Sequence, residues 1–495
     1  MKKIFLLVLV ASTFQSFAQK SGKPEKFART ISTNDLKKHL FIIASREMGG
    51  RETGTEGERK AAAYIENEFT RIGLQPGNNG SYHLNYHLYQ DSLLNASLEV
   101  NGMSFDYDRD FTVSVNSFGA TLKFSEVVII GTNTSADDLK DVNLAGKLVM
   151  LFSSQTQGRG QSNNIYSTLL NKGVAGIISA GGTFPRSTPS NRKGRQSIYT
   201  YQKSVTPPQF TVSDQVARKI LGNKYDEAKA LSKKEMIVPG HIYMQMNKTT
   251  LSLPTSNVMG LLPGTDLKDE YLFITAHHDH IGKRGDSIIN YGADDDGSGT
   301  VSVIEIAEAF MAAKAKGNGP RRSIVFMTVS GEEKGLLGSE FYSNDPVYPL
   351  DKTTANLNID MIGRIDPTRK HGDSTNYVYV VGDDKLSSDL RPVSESVNKK
   401  YGKLELDYKF NDPKDPMRIY YRSDHYNFAK HGVPIIFYFN GTHADYHRPG
   451  DTPDKINFPL LAKRAQFVFY TAWEMANRDE MLKRDIPLDG NVFNR

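Results

Sequence analysis

Carboxylate and imidazole side chains recur along this chain beside glycine-rich turns. The segment YGADDDGSGT (291–300) sets three aspartates directly before Gly-Ser-Gly. Adjacent carboxylates repel one another, so they act either as turn and helix-cap residues or as ligands of a cation. Four other segments carry the same residue types: His277, His278, Asp279 and His280; Glu332 and Glu333; Asp360; and His443, Asp445, Tyr446, His447 and Asp451. Turn chemistry explains any one of these segments, but all five together favour a metal site.

Most of these residues follow predicted strands. From residue 271 onward, strand-like runs such as YLFITAHHD (271–279) and SIVFMTVS (323–330) alternate with helix-like runs such as residues 300–317. This alternation predicts an α/β fold with a mixed, mostly parallel sheet flanked by helices. In such sheets, ligands bind beyond the carboxyl ends of the strands. We therefore expect the acidic residues and histidines to converge at one edge of the sheet.

Asp360 is the most informative single residue. It lies inside the strand-like run ANLNIDMIG (355–363), where a carboxylate is costly unless it is paired or bound to a metal. The chain contains no cysteine, so a metal site must use imidazole and carboxylate donors. Such donors suit zinc, with manganese or cobalt as substitutes. Several carboxylates in one place favour two ions about 3.5–4 Å apart that share a ligand.

In these segments the chain resembles the family of co-catalytic di-zinc exopeptidases, which contains secreted bacterial aminopeptidases and glutamate carboxypeptidase. The resemblance rests on five motifs in the family's order, within about residues 276–454: AHHD, GADDDGSG, SGEEKGLLGS, NIDMIG and YHRPGDT. Residues 45–74 also resemble the opening helix region of this family. The resemblance implies two zinc ions per chain, held by five ligands that share one carboxylate: His277, Asp295 and Asp360 for one ion, and Asp295, Glu333 and His447 for the other.

The same resemblance implies roles for residues around the ligands. Glu332 is expected to be the general base and acid, and Asp279 to hydrogen-bond His277 and fix its tautomer. Tyr446 matches a tyrosine that hydrogen-bonds the carbonyl oxygen of the substrate in some relatives. His280 stands where many relatives have a smaller residue, and we expect it to cap a turn rather than line the cleft.

The turn that holds the bridging aspartate carries two further expectations. The family pattern implies a cis peptide bond between Asp295 and Asp296. It does not make both neighbours of Asp295 ligands, and we interpret Asp296 as a hydrogen-bonding residue at the start of the following helix.

The expected activity is that of a zinc-dependent aminopeptidase, which hydrolyses N-terminal residues of a peptide substrate with water activated by two ions. A carboxypeptidase or dipeptidase of the same fold is the main alternative. It requires a cation for the substrate's terminal carboxylate, for which Arg422 and Arg448 are candidates. A non-catalytic binding homologue would lack ligands, which are all present here. A single-zinc cyclising acyltransferase would differ in its metal stoichiometry.

The composition and the N-terminus bear on partners and location. The 495 residues are 38% hydrophobic with a formal net charge of +5, which gives no indication of a nucleic-acid partner. The start MKKIFLLVLVASTFQSFAQ is typical of a secretory signal peptide cut after Ala18. No later apolar run is long enough for a transmembrane segment. We therefore expect an exported protein, periplasmic or extracellular.

The pattern of strand-like and helix-like runs along the chain predicts a discontinuous main domain. Residues 109–249 form a strand-rich α/β unit without a histidine–carboxylate cluster, and they resemble a protease-associated domain. The peptidase domain is predicted over residues 19–108 and 250–485, after the signal peptide at 1–18. Residues 486–495 form a C-terminal tail.

Overall fold

The computed structural model describes residues 23–152, 159–201, 205–233, 235–285 and 287–487. The predicted signal peptide lies outside the described residues, as does most of the predicted C-terminal tail. The chain divides into two compact units. The first unit comprises the chain up to residue 85 and from residue 255 onward, and the second unit comprises residues 86–254.

The α-helices are numbered in chain order. They are α1 (Pro24–Ala28), α2 (Thr33–Ile43), α3 (Glu56–Ile72), α4 (Arg159–Asn171), α5 (Asp214–Leu221), α6 (Tyr225–Ala230), α7 (Gly299–Ala315), α8 (Leu337–Asn344), α9 (Leu390–Val397), α10 (His425–Lys430) and α11 (Phe458–Asn477).

The strands are β1 (Gln75–Pro76), β2 (His83–Val100), β3 (Met103–Phe105), β4 (Phe111–Val113), β5 (Ala120–Ile130), β6 (Leu148–Phe152), β7 (Gly176–Ala180), β8 (Lys193–Ser197), β9 (Gln209–Val212), β10 (Glu235–Leu262), β11 (Leu267–His277), β12 (Lys283–Arg284), β13 (Ile288–Ile289), β14 (Arg322–Val329), β15 (Thr353–Ile359), β16 (Tyr377–Val381), β17 (Glu405–Asp407) and β18 (Ile435–Phe439).

Four parallel strands form the centre of the first unit. They lie in the order β18–β15–β11–β14, and Ile274 of β11 pairs with Phe326 on one side and Leu357 on the other. The end of β10 adds antiparallel to β14, while β16 adds antiparallel to β18 and carries β17 parallel beside it. The sheet is therefore mixed and mostly parallel, as predicted, and its four central strands end at one edge.

Helices cover both faces of this sheet. Along β11 and β14, Ile274 and Phe326 join one core cluster, while their neighbours Phe273 and Val325 join another. The first cluster includes residues of α1, α2, α3, α7 and α11, and the second includes residues of α8 and α10. Because successive strand residues point to opposite faces, burial on both sides produces the uninterrupted apolar runs seen in the sequence.

Helix α7 follows the aspartate-rich turn and is more deeply buried than its sequence pattern indicates. The pattern predicts one apolar face that includes Val303, Ile306 and Phe310, yet the opposite residues Val301 and Ile304 are also fully buried. The reason is its central position: α7 contacts β11 and β14 as well as α1, α2, α3 and α11. The start of this helix is thereby fixed against the sheet.

The second unit has its own set of strands and its own core. Strands β5, β6, β7 and β9 are parallel neighbours, and β4 pairs antiparallel with β9. The compact unit begins at residue 86 and includes most of β2 and all of β3, which the sequence reading placed in the main domain. Its assignment as a protease-associated domain stays a prediction. Among the residues that the structure describes, no helix combines the length and apolar character that a bilayer span requires.

Candidate metal centre

The carboxyl ends of the four central strands deliver the predicted ligands. His277 is the last residue of β11, and Asp360 directly follows the end of β15 at Ile359. The sequence pattern predicts Asp360 inside the strand. The structure corrects this position, because the strand pairing stops one residue earlier. Glu333 lies in the loop after β14, and His447 lies in the loop after β18.

The first ligand set surrounds the ring of His277. Its Nε2 atom lies 3.3 Å from Oδ1 of Asp295, 3.6 Å from Oδ1 of Asp360 and 3.9 Å from Oε2 of Glu332. His277, Asp295 and Asp360 are all buried. Four donors placed tetrahedrally at the Zn–N distance of about 2.0–2.1 Å lie about 3.3 Å apart. The spacing of the first set therefore fits a metal ion.

The second ligand set lies on the other oxygen of the same aspartate. Nε2 of His447 is 3.1 Å from Oδ2 of Asp295 and 3.2 Å from Oε2 of Glu333. Asp295 thus directs one carboxylate oxygen to each set. This geometry is the one required of a carboxylate that bridges two cations.

Buried polar atoms at the centre lack well-formed hydrogen bonds within the described part of the chain. Nε2 of His277, Oδ2 of Asp295 and Oε1 of Glu333 are inaccessible to solvent, and each faces another ligand residue at 2.8–3.3 Å without a hydrogen bond of normal geometry. Unsatisfied buried atoms are costly, and a bound ion is one of the accepted explanations for them. The donor set is imidazole and carboxylate, so the residues present fit zinc.

The electrostatics of the centre also favour cations. Burial raises the pKa of Glu332 well above its usual value, and nearby Glu333 and Asp360 add to the rise. Burial lowers the pKa of His447, but the neighbouring carboxylates of Asp295 and Glu333 outweigh it and raise the pKa to about 10. Both shifts arise because several carboxylates share one buried space.

The three consecutive aspartates point to three different partners. Asp294 accepts a hydrogen bond from the backbone N–H of Gly363 at 2.7 Å and faces His443 at 3.2 Å. Asp296 accepts from the backbone of Gly299 at 2.8 Å, at the start of α7. It also accepts from the backbone of His277 at 3.2 Å. Only Asp295 faces both ligand sets, and the predicted helix-start role of Asp296 is confirmed.

The peptide bond between Asp295 and Asp296 is cis, as the family pattern predicts. Asp451 holds this turn from outside, because its carboxylate accepts hydrogen bonds from the backbone N–H groups of Asp294 and Asp295 at 3.0–3.1 Å. The sequence pattern identifies Asp451 as one of the acidic residues of its loop but predicts no role for it.

Asp279 contacts the centre in a way that the motif did not predict. Its carboxylate is 3.6 Å from Nδ1 of His277, beyond hydrogen-bond distance, and Nδ1 instead faces the main-chain carbonyl oxygen of Asp279 at 3.1 Å. The carboxylate accepts hydrogen bonds from the hydroxyl of Thr53 at 2.6 Å and the backbone N–H of Glu332 at 3.2 Å. Asp279 therefore positions both His277 and the loop of Glu332.

His280 does not cap a turn, so that prediction is wrong. Its ring is fully buried, and Nδ1 lies 2.8 Å from Oε1 of Glu333 and 3.9 Å from Oδ2 of Asp295. His280, Asp295 and Glu333 form a cluster whose donor atoms all lie within 4.8 Å of one another. The physical reason is the backbone after β11, which turns the ring inward beside Gly292.

Arg51 is a buried residue beside the centre whose contacts the motifs did not predict. Its buried guanidinium donates hydrogen bonds of 2.8–2.9 Å to the carbonyl oxygens of Ile43, His278, Tyr291 and Gly292. Burial lowers the pKa of Arg51 below its usual value, and the nearby acidic residues offset only part of this shift. Arg51 links the loop after β11 to the aspartate turn. The one available signal was its place in residues 45–74, the stretch that resembles the family's opening region.

A small cavity opens beside the first ligand set. Asp295, Glu332 and Asp360 line it together with an apolar wall of Met361, Ile419, Phe437 and Phe439. Tyr446 and Arg422 also line it, and Nη2 of Arg422 donates to the hydroxyl of Tyr446 at 3.1 Å. The ring of Tyr446 stacks on that of His447, with centroids 3.9 Å apart. Arg448 is exposed and is not among the residues that line this cavity.

An α/β unit with adjacent histidine–carboxylate sets at the carboxyl ends of its strands is the arrangement of a metal-dependent hydrolase site. Residues 257–472 match the model of Peptidase family M28. The matched region contains all five motifs, so the resemblance to a zinc exopeptidase family that they predict is confirmed.

Two curated proteins are similar in sequence to this chain. The chain is 29% identical over 228 residues to leucine aminopeptidase 1 of Sclerotinia sclerotiorum, covering 45% of this chain and 56% of that protein. It is 26% identical over 304 residues to a probable zinc metalloprotease of Pyricularia oryzae, covering 54% and 58% respectively. The chain thus spans little more than half the length of these relatives.

The fold has a structural counterpart. An aminopeptidase from Aneurinibacillus sp. strain AM-1 superposes with a TM-score of 0.58 and 16% identity, covering 94% of this chain and 99% of that one. At this level of identity the likeness concerns the fold, and it supports the mixed, mostly parallel sheet described above.

Proposed function

We propose that this chain is a zinc-dependent aminopeptidase that holds two ions and removes N-terminal residues from peptides. The observation that carries the proposal is the carboxylate of Asp295, which presents one oxygen to His277 and the other to His447. The leucine aminopeptidase among the relatives supports the direction of attack. His277, Asp295 and Asp360 hold one ion, and Asp295, Glu333 and His447 hold the other.

The bound ions supply a water of lowered pKa and polarise the scissile carbonyl group. Glu332 is the general base and acid in this proposal. Its carboxylate lies 3.9 Å from His277 and clusters with His277 and Asp360, but in this proposal it binds neither ion, so it is free to accept the proton of the attacking water. It then delivers that proton to the leaving amine. The backbone hydrogen bond from Glu332 to Asp279 holds it in place.

The cavity provides the rest of the substrate site. The free ammonium group of an N-terminal residue lies near Glu332 and Asp360, whose charges attract it. The apolar wall that includes Ile419 and Phe437 takes the side chain. Tyr446 hydrogen-bonds the carbonyl oxygen in this arrangement and stabilises the developing oxyanion.

The experiment that tests the proposal compares three substrate classes on the zinc-loaded protein: aminoacyl amides, N-blocked peptides and C-terminally blocked peptides. We expect cleavage only where the amino group is free. Cleavage of N-blocked peptides would refute the aminopeptidase assignment. Elemental analysis of the same sample should give two zinc ions per chain.

A carboxypeptidase or dipeptidase is the second candidate, and one observation favours it. The guanidinium of Arg422, beside Tyr446, lines the same cavity as Glu332, so it is placed to pair with a substrate carboxylate. In that case Arg422→Ala raises KM strongly for substrates with a free carboxylate and leaves aminoacyl amides unaffected. For an aminopeptidase, the two substrate types respond equally to this change.

Export and domain identity complete the proposal. The N-terminal Lys2, Lys3 and following apolar run support secretion to the periplasm or outside the cell. In the second unit, the segments AGKLVMLF (145–152) and NKGVAGIISAG (171–181) resemble a protease-associated domain and support that assignment. Mass spectrometry of the mature N-terminus tests the cleavage after Ala18.

A further inference from the structure

We propose that His280 is a sixth protein ligand of the metal centre and coordinates the second ion through Nδ1. This inference rests on the two-ion centre proposed above and adds a residue outside the family's ligand pattern. It gives the second ion two imidazoles, from His280 and His447, in addition to the carboxylates of Asp295 and Glu333.

The contacts of His280 point to this role. Nδ1 lies 2.8 Å from Oε1 of Glu333, while Nε2 of His447 lies 3.2 Å from Oε2 of the same carboxylate. Each oxygen of Glu333 therefore faces one imidazole. The distance from Nδ1 of His280 to Oδ2 of Asp295 is 3.9 Å. Donors on one zinc ion lie about 3.3 Å apart, so the two contacts of Glu333 fit a shared ion, and the contact of His280 to Asp295 is longer by about 0.6 Å.

The two neighbouring histidines show that burial by itself does not explain His280. His278 is also fully buried, but its Nε2 lies 3.2 Å from Glu58 and its Nδ1 lies 3.2 Å from the hydroxyl of Thr328. Nε2 of His280 makes no hydrogen bond within the described residues, and Nδ1 faces the carboxylates of Glu333 and Asp295 without a hydrogen bond of normal geometry. A buried imidazole that is not properly hydrogen-bonded is costly, and a metal ion at Nδ1 removes part of that cost.

The backbone around His280 holds the ring in this position. The N–H of His280 donates to the carbonyl oxygen of Arg51 at 3.1 Å, and residues Glu52 and His280 form a β-bridge. Gly292 makes room for the ring, because a Cβ atom at that position would lie 2.6 Å from its Cγ and Cδ2 atoms. The ring is thus placed by the fold.

The first test needs no variant. A crystal structure of the zinc-loaded wild-type protein should show Nδ1 of His280 about 2.0–2.2 Å from one ion. A distance beyond about 3 Å to both ions overturns the proposal. Zinc analysis of the same sample separates this result from a failure of the proposed function, because a protein that binds fewer than two ions contradicts the two-ion centre itself.

The second test uses cobalt as a spectroscopic probe. Apo-protein is titrated with Co²⁺, and the visible bands that depend on donor type and geometry are recorded at one and two equivalents. We expect His280→Ala and His280→Asn to change the spectrum of the second equivalent and to leave that of the first unaltered. We also expect the dissociation constant of the second ion to rise by more than about 100-fold, above the range for residues that only orient a ligand.

The asparagine variant distinguishes ligation from a hydrogen bond to Glu333. Asn places an amide N–H near the position of Nδ1, so it restores a hydrogen bond but not an imidazole ligand. An unchanged cobalt spectrum in His280→Asn overturns the proposal, whatever the loss of affinity. His371→Ala is the matched control, because the His371 side chain is 68% exposed, and it should leave the titration unchanged.

Discussion

The two ligand sets on either side of Asp295 are built differently. His277 and Asp360 lie at the ends of the adjacent parallel strands β11 and β15, and their side chains are no more than 10% exposed. Glu333 and His447 lie in loops, and the side chain of His447 is 39% exposed. Strand ends in a close-packed sheet are rigid, whereas loops carry more mobile residues.

In the proposed two-ion centre, the sheet therefore fixes one ligand set, whereas the other set depends on how two loops meet. The pairing of β11 and β15 places His277 and Asp360 of the first set, and the turn before α7 adds the shared Asp295. The second set needs the loop after β14 and the loop after β18 to meet at Glu333 and His447. We therefore expect the second ion to exchange more readily than the first.

Asp295→Asn should have the largest effect, because it removes the group that the two sets share. We expect loss of both ions and a fall in activity of more than about 10³-fold, since metal-assisted water activation and carbonyl polarisation contribute several kcal/mol. Elemental analysis and kinetics measure this. Asp269→Asn, at an exposed position, is the control. Retention of one tightly bound ion in Asp295→Asn would argue against bridging.

Glu332→Ala should separate catalysis from metal binding. The side chain belongs to neither set, so we expect both ions to remain while kcat falls by about 10²–10⁴-fold, the usual contribution of a general base. Glu332→Gln, which keeps the shape, should lose as much activity. Metal content and kcat are measured on the same preparation. Near-normal turnover in either variant would rule out the general-base role.

Metal removal tests whether the two ligand sets hold their ions with different affinity. In a chelator titration we expect one ion to leave before the other, because the exposed His447 opens the second set to solvent. His447→Ala should bind one ion with unchanged affinity and weaken only the second. Isothermal titration with zinc reports both constants. If the two ions leave together from the wild-type protein, the contrast between strand-held and loop-held sets is wrong.

Thr53→Val should have the smallest effect of the four. It removes the 2.6 Å hydrogen bond to Asp279, which positions His277 and the loop of Glu332. We expect kcat to fall by roughly 10-fold with both ions retained, in line with residues that orient ligands. The lost buried hydrogen bond should cost about 1–3 kcal/mol of unfolding free energy. Thr265→Val, whose hydroxyl bonds the exposed Asp266, serves as the control in kinetics and thermal unfolding.

Much of the fold and centre could be predicted because strand pattern and donor type are local properties. The apolar runs that end in His277 and just before Asp360 predicted both the parallel strands and the edge where ligands meet. The excess of carboxylates in one turn indicated a cation site there, whereas the choice of Asp295 as the shared ligand came from the resemblance to the family. The strand and edge predictions needed only side-chain period and charge, which are local properties of the sequence.

The tertiary structure decided where side chains near the ligands point. The direction of His280 depends on Gly292 and on the hydrogen bond to Arg51, a residue far away in the chain. The partners of Asp279, which are Thr53 and the backbone of Glu332, likewise come from two distant segments. The sequence thus determined which donors exist and at which sheet edge they gather. Packing between distant loops decided which of them converge at the candidate metal centre, because a ring or carboxylate turns by rotations that no local pattern encodes.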